Sequence, residues 1–527
     1  MAQAATLALP TPAAVPDAER VDPIRIVAFL AMCFGMFMAF LDIQVVSASL
    51  AEIQAGLAAS SDEITWVQTS YLMAEVVAIP LSGFLSRALG TRIMFASAAA
   101  GFTVASLMCG LTSTMGQMIV WRALQGFIGG GMVPTVFASA YAIFPRRLQP
   151  VITPMIGLVA TLAPTIGPTV GGYLTDALSW HWLFFINIGP GIVVTIAAIT
   201  LIDFDKPDYK LFDRFDFVGL IFMALFLGAL EYVLEDGPRY DWFEDPTISF
   251  VAAVSAASAV IFFARVLTAQ QPIVDLRAFV DRNFAFGSMF SFVLGIGLYG
   301  LTYLYPIYLD EIRGYDALMV GETMFVSGAT MFLSAPIVGR LMTRTDPRLM
   351  LAAGFVIVAL SNWQMSYVSK DWDFWQLFVP QLFRGFGMMM AIVPITSISL
   401  GTLAPDMLKN GSGLFNLTRN LGGAVGLAGL NTVLDKRIDL HLARLHESIT
   451  WARQPVVEAL NGLAARIPGS DAQTMALKQL FLFVRQQGLV MAFADVFLLL
   501  CLLFLAFAPL VWLMRKPPPA NAEIGGH

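Results

Sequence analysis

Apolar stretches of about 20 residues, separated by short polar segments, recur along the chain almost from end to end. A helix crossing a hydrocarbon core ~30 Å thick needs about 20 such residues. The stretches fall at 26–50, 64–85, 93–112, 116–140, 151–174, 181–202, 216–234, 247–268, 284–309, 318–341, 349–368, 374–402, 411–434 and 488–514. This pattern predicts an all-α polytopic membrane protein of fourteen spans, with both termini on one side. The polar segments offer an independent reading. Arg87 and Arg92, then Arg146 and Arg147, Lys206, Lys210 and Arg214, Arg265, Arg277 and Arg282, Arg340, Arg344 and Arg348, and finally Arg515 and Lys516 make every second loop basic. Short loops rich in Lys and Arg stay in the cytoplasm, so these loops and both termini are expected there. The long segment 435–487 falls on the opposite side. It carries helix-like mixed patterns at 435–465 and 471–486, expected to lie on the membrane surface or to meet a partner. Residues 1–22, rich in Ala and Pro, read as a disordered cytoplasmic tail with no cleaved signal peptide, and 515–527 as a second tail.

Composition changes this picture little. Apolar residues make up 57% of the 527 and charged ones 13%, about half of what a soluble domain carries. The net charge of −6 says less than the placement of the cations. Cys33, Cys109 and Cys501 all fall inside apolar spans and imply neither a disulfide framework nor a metal site.

The chain repeats itself. Pro80, Gly83, Leu85 and Arg92 recur as Pro336, Gly339, Leu341 and Arg348, each 256 positions on. Gly126-Phe127 followed by Val133-Pro134 is echoed by Gly385-Phe386 followed by Val393-Pro394. Six spans on each side of a central pair then suit two parallel halves with a mid-membrane site between them. The expected divisions are 23–205 for the first bundle, 206–270 for the extra pair and 271–514 for the second bundle.

Charged side chains within spans cost on the order of 2.5–3.5 kcal/mol or more and usually face a cavity or a partner. Asp42 in the first span and Arg122 in the fourth are the first such candidates. They form either a proton-coupling pair or a structural bond between helices. Glu75 in the second span is a further proton or cation site, or else a buried protonated acid. It shares a helical face with Gln68, Tyr71 and Ser82, a polar stripe expected to line a central cavity. In the second half, Gln381 and Arg384 stand where the first has Arg122 and Gln125. Arg419 lies with Asn416 and Asn420 before a small-residue ridge, LGGAVGLAGL (421–430). These residues are read as interhelical bonds first and cavity lining second. Tyr299 and Tyr303, with the many Met and Phe, are candidates for an adaptable apolar substrate cavity. Asp495, near the outer end of the last span, reads as structural. In the fifth span Gly157, Ala160, Ala163, Gly167 and Gly171 form a side-chain-poor ridge for close helix contact, and Pro164 and Pro168 are expected to bend that helix.

Other functional classes lack their chemistry. No GxxxxGK[ST] phosphate loop occurs, which excludes that kind of ATP-driven pump. The four histidines avoid the span interiors, and apart from His441 and His446, five apart on the outer loop, no paired metal motif occurs. A non-transporting membrane receptor or scaffold remains open, as do proton-coupled uptake and a dedicated exporter of one metabolite or siderophore.

GFLSRALGTR (83–92), WRALQG (121–126), GPTVGG (167–172) and the LD pair at 41–42 resemble motifs of the drug:proton antiporters of the major facilitator superfamily. With WVQTSYLMAE (66–75), HWLFFINIGPG (181–191) and PIVDLRAFVDRNF (272–284), the chain resembles the fourteen-helix EmrB/QacA-type branch along nearly its whole length. The long outer loop brings it nearer to the EmrB-type members. The resemblance implies a major facilitator fold, two six-helix bundles plus two extra central helices. It implies a proton-coupled multidrug efflux antiporter in a bacterial cytoplasmic (inner) membrane, exporting small, mostly hydrophobic compounds by alternating access. Such a protein draws on the proton gradient and needs no cofactor, metal or nucleic acid. Gly83, Arg87, Gly90 and Arg92 match the cytoplasmic gate motif. Ser86 stands where that motif often has Asp, which puts a gate built on that carboxylate in doubt. Gly157, Pro164, Gly167, Pro168, Gly171 and Gly172 match the antiporter motif. A periplasmic adaptor (membrane fusion protein) leading to an outer-membrane channel is implied as a partner, with 435–487 as its docking site.

Overall fold

A computed structural model describes residues 22–60, 63–145, 148–315, 317–467 and 471–516. The expectations for the two terminal tails and for Arg146 and Arg147 fall outside these residues. In chain order the α-helices are α1 (Pro23–Ala48), α2 (Leu50–Leu57), α3 (Trp66–Ala88), α4 (Gly90–Gly110), α5 (Met115–Gly129), α6 (Met132–Ile143), α7 (Gln149–Ala177), α8 (Trp182–Phe185) and α9 (Ile188–Leu201). They continue with α10 (Phe217–Asp236), α11 (Pro246–Thr268), α12 (Arg282–Arg313), α13 (Ala317–Arg344), α14 (Pro347–Met365), α15 (Phe374–Gly401), α16 (Leu408–Ser448), α17 (Gln454–Ala464) and α18 (Ala472–Phe507). Six of these starts are set by one chemistry. Asp22, Asp216, Asp245, Asp281, Asp346 and Asp373 each accept a backbone N–H that the first turn of α1, α10, α11, α12, α14 or α15 leaves without a helical partner.

Among the described residues, twelve stretches are long and apolar enough to cross a membrane. Two of them are interrupted. The predicted span 116–140 is α5 and α6 joined through Gly130 and Gly131, and 181–202 is α8 and α9 joined at Ile186 and Asn187. The predicted spans 151–174 and 411–434 correspond to α7, of 29 residues, and α16, of 41. α16 is less apolar because Asn410, Asn416, Arg419 and Asn420 lie along it.

The halves pack by one plan. α1 lies on α7 and α3 on α5, as α12 lies on α16 and α13 on α15; α4 touches α5 and α9 as α14 touches α15 and α18. Across the seam, α3 meets α16 and α7 meets α13. The sequence repeat underlies this symmetry at the level of single contacts. A Cβ on Gly126 would lie 2.2 Å from the Tyr71 carbonyl oxygen, and one on Gly385 would lie 2.3 Å from that of Ser327, 256 positions beyond Tyr71. Lipid tails are as apolar as leucine, so helices here associate through close packing and not through hydrophobic expulsion. Only glycine permits the approach.

Both small-residue ridges face inward to their own half. Gly167 and Gly171 of α7 press on Gln44 and Val45 of α1, and Gly422 and Gly426 of α16 press on Phe292 and Ile296 of α12. Gly157 differs: its open face meets Met389 and Ile392 of the other half. α7 is helical throughout, Pro164 and Pro168 included; the side chains of these two prolines are outside the described set.

The segment predicted as the outer loop 435–487 is mostly a continuation of two spanning helices. At 1.5 Å per residue α16 is about 60 Å long, twice the hydrocarbon thickness. α16 and α18 therefore rise together beyond the bundle, with α17 packed on α18. Asp495 ties them: its carboxylate is 2.8 Å from His441 Nε2 and 3.5 Å from Arg437 Nη1. The pattern at 435–448 does not lie flat because it continues the helical register of α16, and 472–486 does the same for α18.

Gly126→Ala and Gly385→Ala should each destabilise the protein by roughly 1–3 kcal/mol, because the new methyl overlaps a carbonyl that cannot retreat without parting the helices. Thermal unfolding of the detergent-purified variants measures this. A melting temperature unchanged in both would remove these contacts from the framework.

Candidate functional site: a buried charge cluster beside a central cavity

Asp42 is 1% exposed and Arg122 fully buried, and the two are ion-paired at 2.7 Å between Oδ2 and Nη1. The pair sits in a closed polar cluster. Arg122 Nη1 also donates to Gln125 Oε1 at 2.7 Å, and its Nε donates to the Val67 carbonyl at 3.0 Å. The guanidinium lies over the Tyr71 ring, 4.3 Å from its centre. The other carboxylate oxygen, Asp42 Oδ1, accepts from Gln125 Nε2 at 3.0 Å and from Asn187 Nδ2 at 2.7 Å. Ser106 Oγ accepts from Gln125 Nε2 at 2.7 Å. Local sequence places each donor: Arg122 and Gln125 are three apart on one face of α5, and Asn187 sits at the break between α8 and α9.

Asn187 was not singled out from the sequence, although a polar residue flanked by WLFFI and IGPG is a signal of its own. Tyr71 belongs to this cluster and not to the cavity lining, because its ring covers Arg122.

On the other side of α1 lies a central cavity of about 80 Å³, room for a few waters and far below the 300–1,000 Å³ of a drug-sized site. Phe40, Ile43 and Gln44 of α1, Glu75 of α3, Tyr299 of α12 and Arg419 of α16 line it. The other candidates lie elsewhere. Gln68 is half-buried and its Oε1 has no hydrogen-bond partner; Tyr303 is 36% exposed. Gln381 and Arg384 are both buried on α15, where Arg384 Nη2 donates to Thr302 Oγ1 at 3.0 Å and the guanidinium lies over Tyr305. Asn416 is buried against Arg419, which donates to its Oδ1. The second half thus repeats the cation of the first and replaces its carboxylate partner with a hydroxyl.

At the end that carries the basic loops, the halves meet directly. Gly83 faces the backbone of Lys409 and Asn410, with a Cβ there 3.0 Å from both. Ser412 Oγ donates to the Pro134 carbonyl at 2.6 Å. Lys409 Nζ donates to the Ser86 carbonyl at 2.7 Å and is ion-paired with Asp205. Asp205 in turn accepts from the backbone N–H of Thr91 at 2.9 Å, within the motif loop. A carboxylate from the end of α9 thus stands beside Ser86, at the loop where the family motif often has an Asp of its own. Arg87 Nε donates to the Gly83 carbonyl at 3.3 Å, Gly90 takes φ +78°, where a side chain is strained, and Arg92 is exposed.

The sequence profile of the Major Facilitator Superfamily matches residues 32–427. A "Colistin resistance protein EmrB" of Acinetobacter baumannii is 39% identical over 492 residues, 93% of this chain and 96% of that one. The chain belongs to the Major Facilitator Superfamily, in its EmrB-type branch. Other superfamily members similar to it are a "Fatty acid resistance protein FarB" of Neisseria gonorrhoeae, 31% identical over 94% of this chain and 97% of that one, and a "Multidrug export protein EmrB" of Escherichia coli K12, 28% identical over 95% and 97%. Among solved structures, the human organic anion transporter MFSD10 (TETRAN) matches with a TM-score of 0.57 at 12% identity, over 92% of this chain and all of that one. That likeness concerns the superfamily fold alone.

Removing one partner of a buried ion pair strands the other. Asp42→Leu should cost about 3–5 kcal/mol, and adding Arg122→Met should recover a large part of it. Thermal unfolding of the single and double variants reads the difference; additive losses would show that the two charges do not act as a unit. At the basic face, Lys409→Glu should free that seam and Asp205→Lys in the same chain should restore it. Cysteine cross-linking between the halves there measures the closure, and a seam that stays equally closed in Lys409→Glu would show the ion pair to be dispensable.

Proposed function

We propose that the protein is a proton-coupled multidrug efflux antiporter that exports small, mostly hydrophobic compounds by alternating access. The observation that carries this reading is the Asp42–Arg122 cluster, a carboxylate and a guanidinium held fully out of solvent in the membrane core. A charge is kept at such depth when it does work there. When Asp42 takes a proton, its ion pair with Arg122 ends and the guanidinium is left with Gln125 and the Val67 carbonyl. Protonation is thus a switch between two arrangements of α1 against α5. The small cavity supports a cycle as well. Closed at the basic face by α3 and α16, it must widen before a compound enters, and the glycine contacts within each half let each bundle move as a body.

The basic loops support a cytoplasmic position for that face and both termini. The bundles are taken as 23–205 and 271–514, with 206–270 between them and tails at either end. The bacterial inner membrane is the fitting location, and energy comes from the proton gradient with no cofactor. The paired extensions of α16 and α18 with α17 stand where a periplasmic adaptor would reach, and Trp451, Phe481, Leu482 and Phe483 are exposed there. Relatives named for resistance to colistin and to fatty acids, and for multidrug export, support efflux as the direction.

Asp42→Asn keeps the shape of a protonated carboxyl and removes its titration. In proteoliposomes with an imposed pH gradient, this variant should bind ethidium as the wild type does and lose gradient-driven transport of it. Unimpaired gradient-driven transport would take Asp42 out of the coupling.

A further inference from the structure

The two extra helices are not equivalent. α11 packs on α10 and the short segment before it, as expected of a helix outside the core, whereas α10 lies against both α3 and α16 and so bridges the seam between the halves. Trp66 of α3 stacks on Tyr232 of α10 at 5.5 Å, and Trp242, just beyond α10, donates to Thr432 Oγ1 of α16 at 2.9 Å. Through this position α10 contributes a wall of the central cavity, and the residues it contributes are Glu231 and Glu235.

Glu231 is 6% exposed and Glu75, on the facing α3, 4% exposed; Glu235 is exposed at the rim. No hydrogen bond joins any of these three carboxylates to another described residue. The cavity's cation, Arg419, hydrogen-bonds none of these acids: it donates to Asn416 and lies over the Phe137 ring, and it acts on Glu75 through charge alone, with its Nε unpartnered. Tyr299 donates its hydroxyl hydrogen to Asn420 Oδ1 at 3.2 Å, so it does not serve the acids either. α1 and α15 bring only Gln44 and apolar side chains. A buried carboxylate without a partner is costly, and either a proton or a cation relieves it.

We propose that α10 is the charge-selecting wall of the substrate cavity and that Glu231, opposite Glu75, is the specificity-determining residue for the ammonium- or phosphonium-type group of an amphipathic cation. The surrounding Phe40, Leu72, Leu298 and Ile392 take the apolar body of such a compound. Protons and the substrate's cationic group compete for the same carboxylates. This inference rests on the efflux reading for its substrate, but it assigns to an accessory helix a role separate from the proton pair at Asp42.

Tetraphenylphosphonium and tetraphenylborate have the same shape and opposite charge, which makes them the probes of choice. Binding to the full-length protein in nanodiscs is measured with partition into empty nanodiscs subtracted. The wild type should prefer the phosphonium, and less so at pH 5 than at pH 8. Glu231→Gln should weaken phosphonium binding tenfold or more at pH 8 and change borate binding less than threefold, while Glu231→Asp keeps the preference. Equal affinity of the wild type for the two ions overturns the proposal even where the variant does not fold, and so does an unchanged phosphonium affinity in Glu231→Gln. Flux under a pH gradient separates the two readings. A wild type that selects the phosphonium through Glu231 but carries no probe upholds the wall and refutes efflux. One that exports probes without regard to charge upholds efflux and refutes the wall.

Discussion

Close backbone approach at glycine is the constraint on which the rest of this bundle depends. Water drives helices together in a soluble protein, but lipid does not, so the halves are held by contacts that only a missing side chain allows. Gly126 on the Tyr71 carbonyl and Gly385 on that of Ser327 are the same contact made twice, and Gly167 against Gln44 and Gly422 against Phe292 are a second such pair. Because these contacts lie within each half, each half is stiff. The seam between halves uses fewer of them and adds separable polar bonds, such as Lys409 to Asp205 and Ser412 to Pro134. Rigid bodies joined by a breakable seam are what a rocking motion requires.

On this symmetric frame the charges are asymmetric. Arg122 and Arg384 occupy related places, but only Arg122 has a carboxylate; Arg384 has Thr302. A buried ion pair therefore exists in one half and a neutral-partner hydrogen bond in the other. The cavity acids follow the same bias, with Glu75 on α3 and Glu231 on a helix outside the repeat altogether.

The sequence was most informative where a physical requirement is local. Hydrocarbon thickness sets span length, and the offset of 256 exposed the halves. Asp42 and Arg122 could be singled out because a charge inside a span needs a reason, and the structure brings them together at 2.7 Å. Three things were not legible, each for a physical reason. Asn187 is neutral and carries no such cost, so the charge argument that marks Asp42 and Arg122 passes it by, and only its apolar flanks set it apart. The Asp205–Lys409 pair joins residues 204 positions apart, a pairing that spacing along a chain cannot reveal. The ridge of α7 was legible as a site of close helix contact, but its partner was not. Gly167 and Gly171 meet α1 of their own half, and periodicity tells which face is bare but not which helix fills it. Similarly, spacing along the chain does not show that Glu231 and Glu235, near the end of an extra helix, line the cavity; the position of α10 across the seam does.

What connects the Asp42–Arg122 pair to the cavity is α1 itself. Asp42 points to Arg122, Gln125 and Asn187 on one face, and its neighbours Phe40, Ile43 and Gln44 line the cavity on another. Gly167 and Gly171 of α7 bear on Gln44 and Val45, in the same two turns. A rotation or shift of α1 that followed loss of the Asp42–Arg122 bond would therefore change the cavity wall, and it would carry α1 across the glycines of α7 while Ile166, Val170 and Leu174 of that helix flank the contact. The smooth ridge acquires its meaning here. It permits the approach that packs the half together, and in the proposed cycle it would let one helix carry the state of a buried carboxylate to the cavity.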